Sequence, residues 1–338
     1  MCSRTLRIRR LSEVAVLSVV IGSAFYITLF LYAYRGSLEN FILSFKGGNA
    51  IYILAVFALR FLSLTIHGIA WWVLIRALRP ISKVKTLKVT YSSVFTEFII
   101  PIGGITEIVK VALLTKLKLL RSDEAIASLF AHRIVLSFSI FLITFIALMI
   151  LNAPLILYIA LIIPSLILVI VNIAGFIIPS FYRIESILDK VLSRFGLNIK
   201  GFSFRYSSSM KGVVGNLLFM TSSLILSICE RFLNALYGVS IAMLIGIKLD
   251  IIRAILAFDS LYAILWLFPL ITPGGLGIYE TIQTSLLNFL GIELSQAATA
   301  SIISRIAYLV VGYGLFTYST LTLGLSLRGI IKSISTRS

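Results

Sequence analysis

Residues 273–280 read PGGLGIYE, and residues 101–107 read PIGGITE. Each stretch interrupts a long apolar run with a proline and glycines, residues that stop a helix and permit unusual backbone angles, and each ends in a glutamate. A broken backbone followed by a carboxylate is costly in lipid unless a site or a buried partner compensates it. Glu107 and Glu280 lie 173 positions apart. Two further pairs of ionisable residues in apolar surroundings keep nearly the same interval. Arg60 in RFLSL and Arg231 in RFLNAL are 171 apart, and Arg133 in AHRIV and Arg305 in ISRIA are 172 apart. A period of about 172 in 338 residues predicts two homologous halves, an architecture from which many transporters are built.

Composition sets the solvent. The mean hydropathy is +1.06, 59% of residues are hydrophobic and only 13% are charged, against roughly 25% charged in soluble domains. Runs such as 14–34 and 153–180 exceed the roughly 20 residues that a helix needs to cross a hydrocarbon core. Barrel strands would be shorter and alternating, so an all-α, polytopic integral membrane protein is expected. Arg4, Arg7, Arg9 and Arg10 precede the first run, but that run is too long for a signal-peptide core, and AYRGS is a poor cleavage site. It is read as a retained helix. Cys2 and Cys229 form neither a disulfide framework nor a metal site.

The net charge of +17 invites a nucleic-acid reading, which the distribution of the charges excludes. Segments 1–13, 76–88, 110–124, 181–211 and 327–338 carry 22 of the 30 lysines and arginines, while 35–50 and 246–253 carry two each. That asymmetry is the positive-inside rule. With the N-terminus cytoplasmic, helices at 14–34 and 51–75 cross outward and back. Residues 86–119 start and end in basic flanks, so they form a hairpin broken at its tip. Helices at about 124–151 and 153–180 follow, then a basic cytoplasmic loop with an amphipathic helix around YRIESILDKVLSRF. A crossing at about 212–245, a second broken hairpin at 250–290 and a last helix at 294–326 bring the C-terminus inside. The expected organisation is a single transmembrane domain. It comprises an extra N-terminal helix (14–34), a first repeat (51–151), a connecting helix and basic loop (152–211), and a second repeat (212–327) inverted relative to the first. Each repeat holds a re-entrant type of hairpin broken at Pro and Gly.

PIGGITEIVKVALL, AHRIVLSFSIF and especially TPGGLGIYETIQTSLL resemble the lysylphosphatidylglycerol synthase transmembrane region family, also called the flippase-like domain family, over roughly residues 15–327. The second motif, Pro273-Gly274-Gly275-x-Gly277-x-x-Glu280, is the more specific; the first, Pro101-x-x-Gly104-x-x-Glu107, is degenerate. The resemblance implies a membrane domain that moves lipid between leaflets. In bifunctional members that domain is fused to a soluble aminoacyltransferase, which is not expected within these 338 residues. Two positions depart from the family pattern. Lys110 stands where Arg is common after the first acidic position, and Tyr279 where Arg precedes the second. Lys keeps charge without the bidentate fork that suits phosphate, and Tyr loses the charge.

The half-helices beginning near Gly104 and Gly277 would point amide groups toward the membrane midplane, where they suit phosphate; alternatively, the glycines, Gly103 and Gly275 included, only permit close packing. Glu107 and Glu280 sit where a carboxylate caps a helix, bears a coupling ion or proton, or meets a cationic headgroup. Arg60, Arg133, Arg231 and Arg305 are their expected partners, through structural salt bridges or through direct phosphate binding. Glu97, Glu230 and Asp259 are secondary candidates. His67 and His132 read as hydrogen-bonded structural residues rather than metal ligands. The chain carries no G-x-S-x-G elbow, no H-E-x-x-H and no P-loop.

These readings predict a non-enzymatic transporter in the cell membrane that translocates a phosphate-containing lipid, aminoacylated or polyprenyl-linked forms included. An integral-membrane transferase acting on a lipid-linked substrate and a carboxylate-based ion channel or exchanger stay open as alternatives. The expected substrate-binding residues are Arg60, Pro101, Gly103, Gly104, Glu107, Lys110, Arg133, Arg231, Pro273, Gly274, Gly275, Gly277, Glu280 and Arg305. No cofactor or metal and no nucleic acid is expected. Membrane lipids are the expected partners, with a separate lipid-modifying transferase as a further candidate.

Overall fold

A computed structural model describes residues 51–96, 105–178, 201–267 and 275–324, together with 27, 28 and 31. Among them every regular element is helical. These are α1 (Ile51–Arg76), α2 (Lys83–Val94), α3 (Ile105–Lys116), α4 (Ser122–Leu151), α5 (Leu155–Ile177), α6 (Phe202–Val214), α7 (Leu217–Leu244), α8 (Ile251–Ile255), a π-helical turn (Leu256–Ser260), α9 (Leu261–Leu267), α10 (Ile278–Phe289) and α11 (Leu294–Thr322). Five of these, α1, α4, α5, α7 and α11, are long and apolar enough to cross a membrane. The expected helix at 14–34 and the amphipathic segment around 182–195 lie almost wholly outside the described residues.

The outer surface is that of a protein solvated by hydrocarbon. On α5 the buried residues Leu157, Leu161, Ser165, Leu168, Asn172 and Phe176 recur every three or four positions and form one stripe. Much of the rest of that helix, including Leu155, Ile156, Ile163, Ile170 and Val171, is exposed aliphatic surface. Serines, threonines and charged residues instead concentrate in the interior, the arrangement expected where lipid rather than water lies outside.

The long helices α1 and α7 pack along one another more extensively than any other pair. Small residues let them approach. Ser223 on α7 donates to the Ala70 carbonyl of α1 at 3.0 Å, and Ser63 of α1 donates to Asn234 of α7 at 2.6 Å. Around this pair the same order of elements occurs twice. α3 and α10 are offset by 173 at both ends, and α4 and α11 by 172 and 171. Contacts cross over as well: α2 packs on α11, while α8 and the π-helical turn pack on α4. Thr144 of α4 donates to Ser260 at 2.7 Å across the second of these contacts.

Ile81, just before α2, and Leu117 and Leu119, just after α3, join one apolar cluster with Ala125 in the first turn of α4. The start of α2 and the end of α3, the two flanks of the segment 83–116, therefore lie close together. Its tip, with Pro101, Gly103 and Gly104, and the second tip, with Pro273 and Gly274, lie outside the described residues. The helix expected to begin at about 212 begins at Leu217. Asn216 accepts from the Phe219 amide as its N-cap, and residues 202–214 instead form a separate helix, α6, packed on α4. There the Tyr206 hydroxyl donates to the Phe176 carbonyl at 2.8 Å and Ser209 to Asp123 at 3.0 Å. The crossing helix consequently starts about five residues later than expected.

The closest packing predicts a measurable asymmetry among glycines. A Cβ on Gly238 would collide with the buried Phe258 ring, whereas one on Gly314 would meet nothing within 4 Å. Gly238→Ala should lower stability by about 1–3 kcal/mol, the usual cost of overpacking, while Gly314→Ala should be neutral or slightly stabilising. Thermal unfolding of the two variants in detergent compares them directly.

Candidate functional site

α1 presents Arg60, Ser63, His67 and Trp71 on one face, and α7 presents Ser227, Glu230, Arg231, Asn234 and Tyr237 on the facing side. These spacings of three and four place the side chains one above another. The charges sit deep. Arg231 is 14 residues from the start of α7 and 13 from its end, about 20 Å from either. Arg133 and Arg305 are each 11 residues from the start of α4 and α11, about 17 Å in.

The densest part of the site surrounds Arg231, which is 4% exposed. Its Nη1 donates to Asp259 Oδ1 at 2.9 Å and its Nη2 lies 2.7 Å from Glu230 Oε1. Asp259 also accepts from Asn234 Nδ2 at 2.8 Å. The π-helical turn that carries Asp259 is completely buried, and such turns recur at functional positions in membrane and soluble helices. Glu230 faces His67 Nδ1 at 3.3 Å, and His67 Nε2 faces Lys110 Nζ at 3.4 Å. An ammonium can only donate, so Nε2 is the accepting nitrogen and Nδ1 carries the proton toward Glu230. Lys110 also lies 5.3 Å from the Trp71 ring centroid, and His132 meets His67 edge to face at 4.8 Å.

The carboxylates of the two motifs have matching partners. Arg133 Nη2 lies 3.2 Å from Glu107 Oε1. Glu280 pairs through Oε1 with Arg305 Nε, while its Oε2 accepts the Gly277 amide proton at 2.6 Å. Glu280 is therefore a helix cap and an ion-pair partner at once. Gly275 and Gly277 have φ of +69° and +82°, so this turn into α10 requires glycine. Tyr279, in place of the family's arginine, is stacked by Arg305, whose Cζ lies 4.7 Å from the ring centroid. The Tyr279 hydroxyl meets Ser304 Oγ at 3.2 Å, and the Tyr237 hydroxyl donates to the Ser304 carbonyl at 2.7 Å.

Arg60 differs from the other three arginines. Among the described residues no carboxylate lies within ion-pair distance of it. Its Nη1 reaches Asn234 Oδ1 and its Nη2 the Tyr262 hydroxyl, each at 3.4 Å. Its Cζ lies 4.3 Å from the Tyr308 ring centroid and 5.7 Å from that of Tyr237.

The structure thus brings together Arg60, Glu107, Lys110, Arg133, Arg231, Glu280 and Arg305, with Glu230 and Asp259 as the partners of Arg231. Pro101, Gly103, Gly104, Pro273, Gly274 and Glu97 are outside the described residues. Sequence reading overlooked Ser63, Asn234, Tyr237, Tyr262, Ser304 and Tyr308. The repeat itself held a signal for three of these. Asn234 stands 171 positions after Ser63, whose Oγ donates to it at 2.6 Å, and Ser304 stands 172 after His132.

A bundle of helices long enough to span a membrane, with ionisable residues gathered at mid-length against one another, defines a multi-pass helical membrane protein with a polar interior. The lysylphosphatidylglycerol synthase TM region family matches residues 15–315, and the chain belongs to that family. No curated protein and no solved structure matches it. Membership in that family ties the chain to membrane lipid.

The pairing of Arg231 makes a stability prediction. Arg231→Met leaves Glu230 and Asp259 buried without their cation and should cost about 3–5 kcal/mol. Adding Glu230→Gln and Asp259→Asn removes the stranded charge and should restore most of the loss, read as the unfolding midpoint in detergent.

Proposed function

We propose that this protein is a cell-membrane transporter, not an enzyme, and that it moves a phosphate-containing amphiphile between leaflets. In this reading it is built from two inverted halves, residues 51–151 and 217–322, with both termini cytoplasmic. The observation that carries the proposal is the ionic chain gathered among the spanning helices, buried except for the partly exposed Arg133–Glu107 pair. Among the described residues it holds five cations, Arg60, Lys110, Arg133, Arg231 and Arg305, against four carboxylates, Glu107, Glu230, Asp259 and Glu280. Ionisable residues at such depth mark substrate pathways more often than scaffold, and a cation excess fits a phosphate better than a metal ion. Family membership supports lipid over a soluble anion.

Inversion is supported by the register of the equivalent helices α1 and α7: Ser63, His67 and Ala70 meet Asn234, Glu230 and Ser223 in that order, so the two run antiparallel. In this reading α3 and α10 enter from opposite sides, as in transporters whose sites lie between inverted repeats.

Reconstitution into liposomes with fluorescent phospholipids, read by dithionite quenching of the outer leaflet, tests translocation. Wild type should move label faster than empty liposomes. Glu107→Gln and Glu280→Gln should each abolish movement while the protein stays folded, since a Gln at 280 keeps the cap to Gly277 and loses only the charge facing Arg305. Full activity in both variants and in the double variant would remove the carboxylates from the mechanism.

Orientation has its own test, in a background with Cys2 and Cys229 replaced. Arg121→Cys should react with membrane-impermeant thiol reagents from the cytoplasmic side, and Glu293→Cys from the opposite side. Labelling of both from one side would overturn the inverted arrangement.

A further inference from the structure

Arg60 is 6% exposed and its Nε is buried with no hydrogen-bond partner. A guanidinium carries five N–H donors, and here only two contacts are made, both at 3.4 Å, beyond the usual range for a charge-assisted bond. One of the two acceptors, Asn234 Oδ1, is already engaged at 2.6 Å by Ser63. The other, the Tyr262 hydroxyl, accepts from Arg60 and keeps its own proton to donate. The rings of Tyr308 and Tyr237 supply cation–π contact in place of a counter-ion. Tyr262 and Tyr308, both in contact with the guanidinium, are only partly buried.

The repeat shows that the missing counter-ion is particular to Arg60. Its equivalent, Arg231, is held by Glu230 and Asp259, and the positions 171 earlier are Leu59 and Lys88. One of two related arginines has acquired two carboxylates, and the other has none. Of the other described cations at this depth, Arg305 pairs with Glu280 and Arg133 with Glu107, while Lys110 faces the imidazole of His67. Five cations against four carboxylates leave the described interior one positive charge in excess, and Arg60 is the guanidinium there with no carboxylate within ion-pair distance.

We infer that Arg60, with the Tyr262 hydroxyl, is the headgroup site, and that it takes a singly charged phosphodiester in preference to a phosphomonoester, a pyrophosphate or a zwitterion. One uncompensated guanidinium balances one negative charge. A dianion would leave a buried charge unpaired, and a zwitterion would bring its own cation into a site with no spare carboxylate. Nε–H and the Tyr262 O–H supply two donors to the unesterified oxygens, and the tyrosine rings pack against the ester substituents. This rests on the reading that the protein handles a phosphate-bearing amphiphile, and binding is measured apart from movement so that the two fail separately.

The test is native mass spectrometry of the full chain in detergent. The probes are phosphatidylglycerol, phosphatidic acid and phosphatidylcholine with the same acyl chains, and glycerophosphoglycerol as the headgroup without chains. Wild type should retain phosphatidylglycerol about tenfold better than phosphatidic acid or phosphatidylcholine. Glycerophosphoglycerol should displace it only at far higher concentration, because the acyl chains remain in the bilayer-like phase; displacement at equal concentration would identify the ligand as a soluble phosphodiester and overturn the lipid assignment. Arg60→Gln should lose the preference by about tenfold, and Arg60→Lys should keep part of it. Tyr262→Phe, which preserves packing, should weaken binding several-fold and serves if the Arg60 variants fail to fold. Equal retention of all three lipids, or unchanged binding in Tyr262→Phe and in folded Arg60→Gln, would overturn the site. Binding that depends on Arg60 without any movement in liposomes would leave the site standing and remove only the transport reading.

Discussion

Arg231 cannot be buried alone, and much of the interior follows from that constraint. A guanidinium taken out of water needs carboxylates close by and further donors to satisfy them. Glu230 comes from the same helix, but Asp259 must be delivered from the next segment, and the π-helical turn at Leu256–Ser260 is what delivers it. Asn234 completes the Asp259 Oδ1 coordination and faces Ser63 across the α1–α7 contact. That contact can form only because both helices carry small residues where they cross, so the ionic centre and the close packing depend on each other.

The fold was legible in the sequence to the extent that it is written in hydropathy and charge. Apolar runs located α1, α4, α5, α7 and α11 to within a few residues at most ends, because each must hold its backbone hydrogen bonds internally and meet lipid along most of its length. The interval between Glu107 and Glu280 reappears as the offset between α3 and α10. The break at Gly215 and Asn216 was not legible, since a polar N-cap inside a basic, serine-rich stretch looks like loop until packing on α4 makes a helix of residues 202–214.

The site was legible only in part, for a physical reason. Single-residue cost identifies ionisable residues in apolar runs, and it found Arg60, Glu107, Arg133, Arg231, Glu280 and Arg305. It does not reveal pairing, which depends on how helices rotate about their axes. Tyrosines and serines such as Tyr262, Tyr308 and Ser304 carry little cost in an apolar run, so they leave no mark until the structure turns them inward. Asn234 is intermediate: its amide is expensive enough to notice, and its register with Ser63 becomes informative only once the period is known.

The bonds are not distributed evenly between the two halves and the seam that joins them. Among the described residues, no guanidinium–carboxylate pair joins residues 51–151 to residues 217–322; Arg133–Glu107 lies in the first, and Arg231–Glu230, Arg231–Asp259 and Arg305–Glu280 lie in the second. Across the seam run hydroxyl, amide and imidazole contacts, and several are long: Arg60 to Asn234 and Tyr262 at 3.4 Å and His67 to Glu230 at 3.3 Å. Arg133–Glu107 ties α3 to α4, Arg231–Asp259 ties the π-helical turn to α7, and Arg305–Glu280 ties α10 to α11. Arg60 is the exception to that division: its charge sits where α1 meets α7, and among the described residues it is met there by an amide, a hydroxyl and tyrosine rings rather than by a carboxylate.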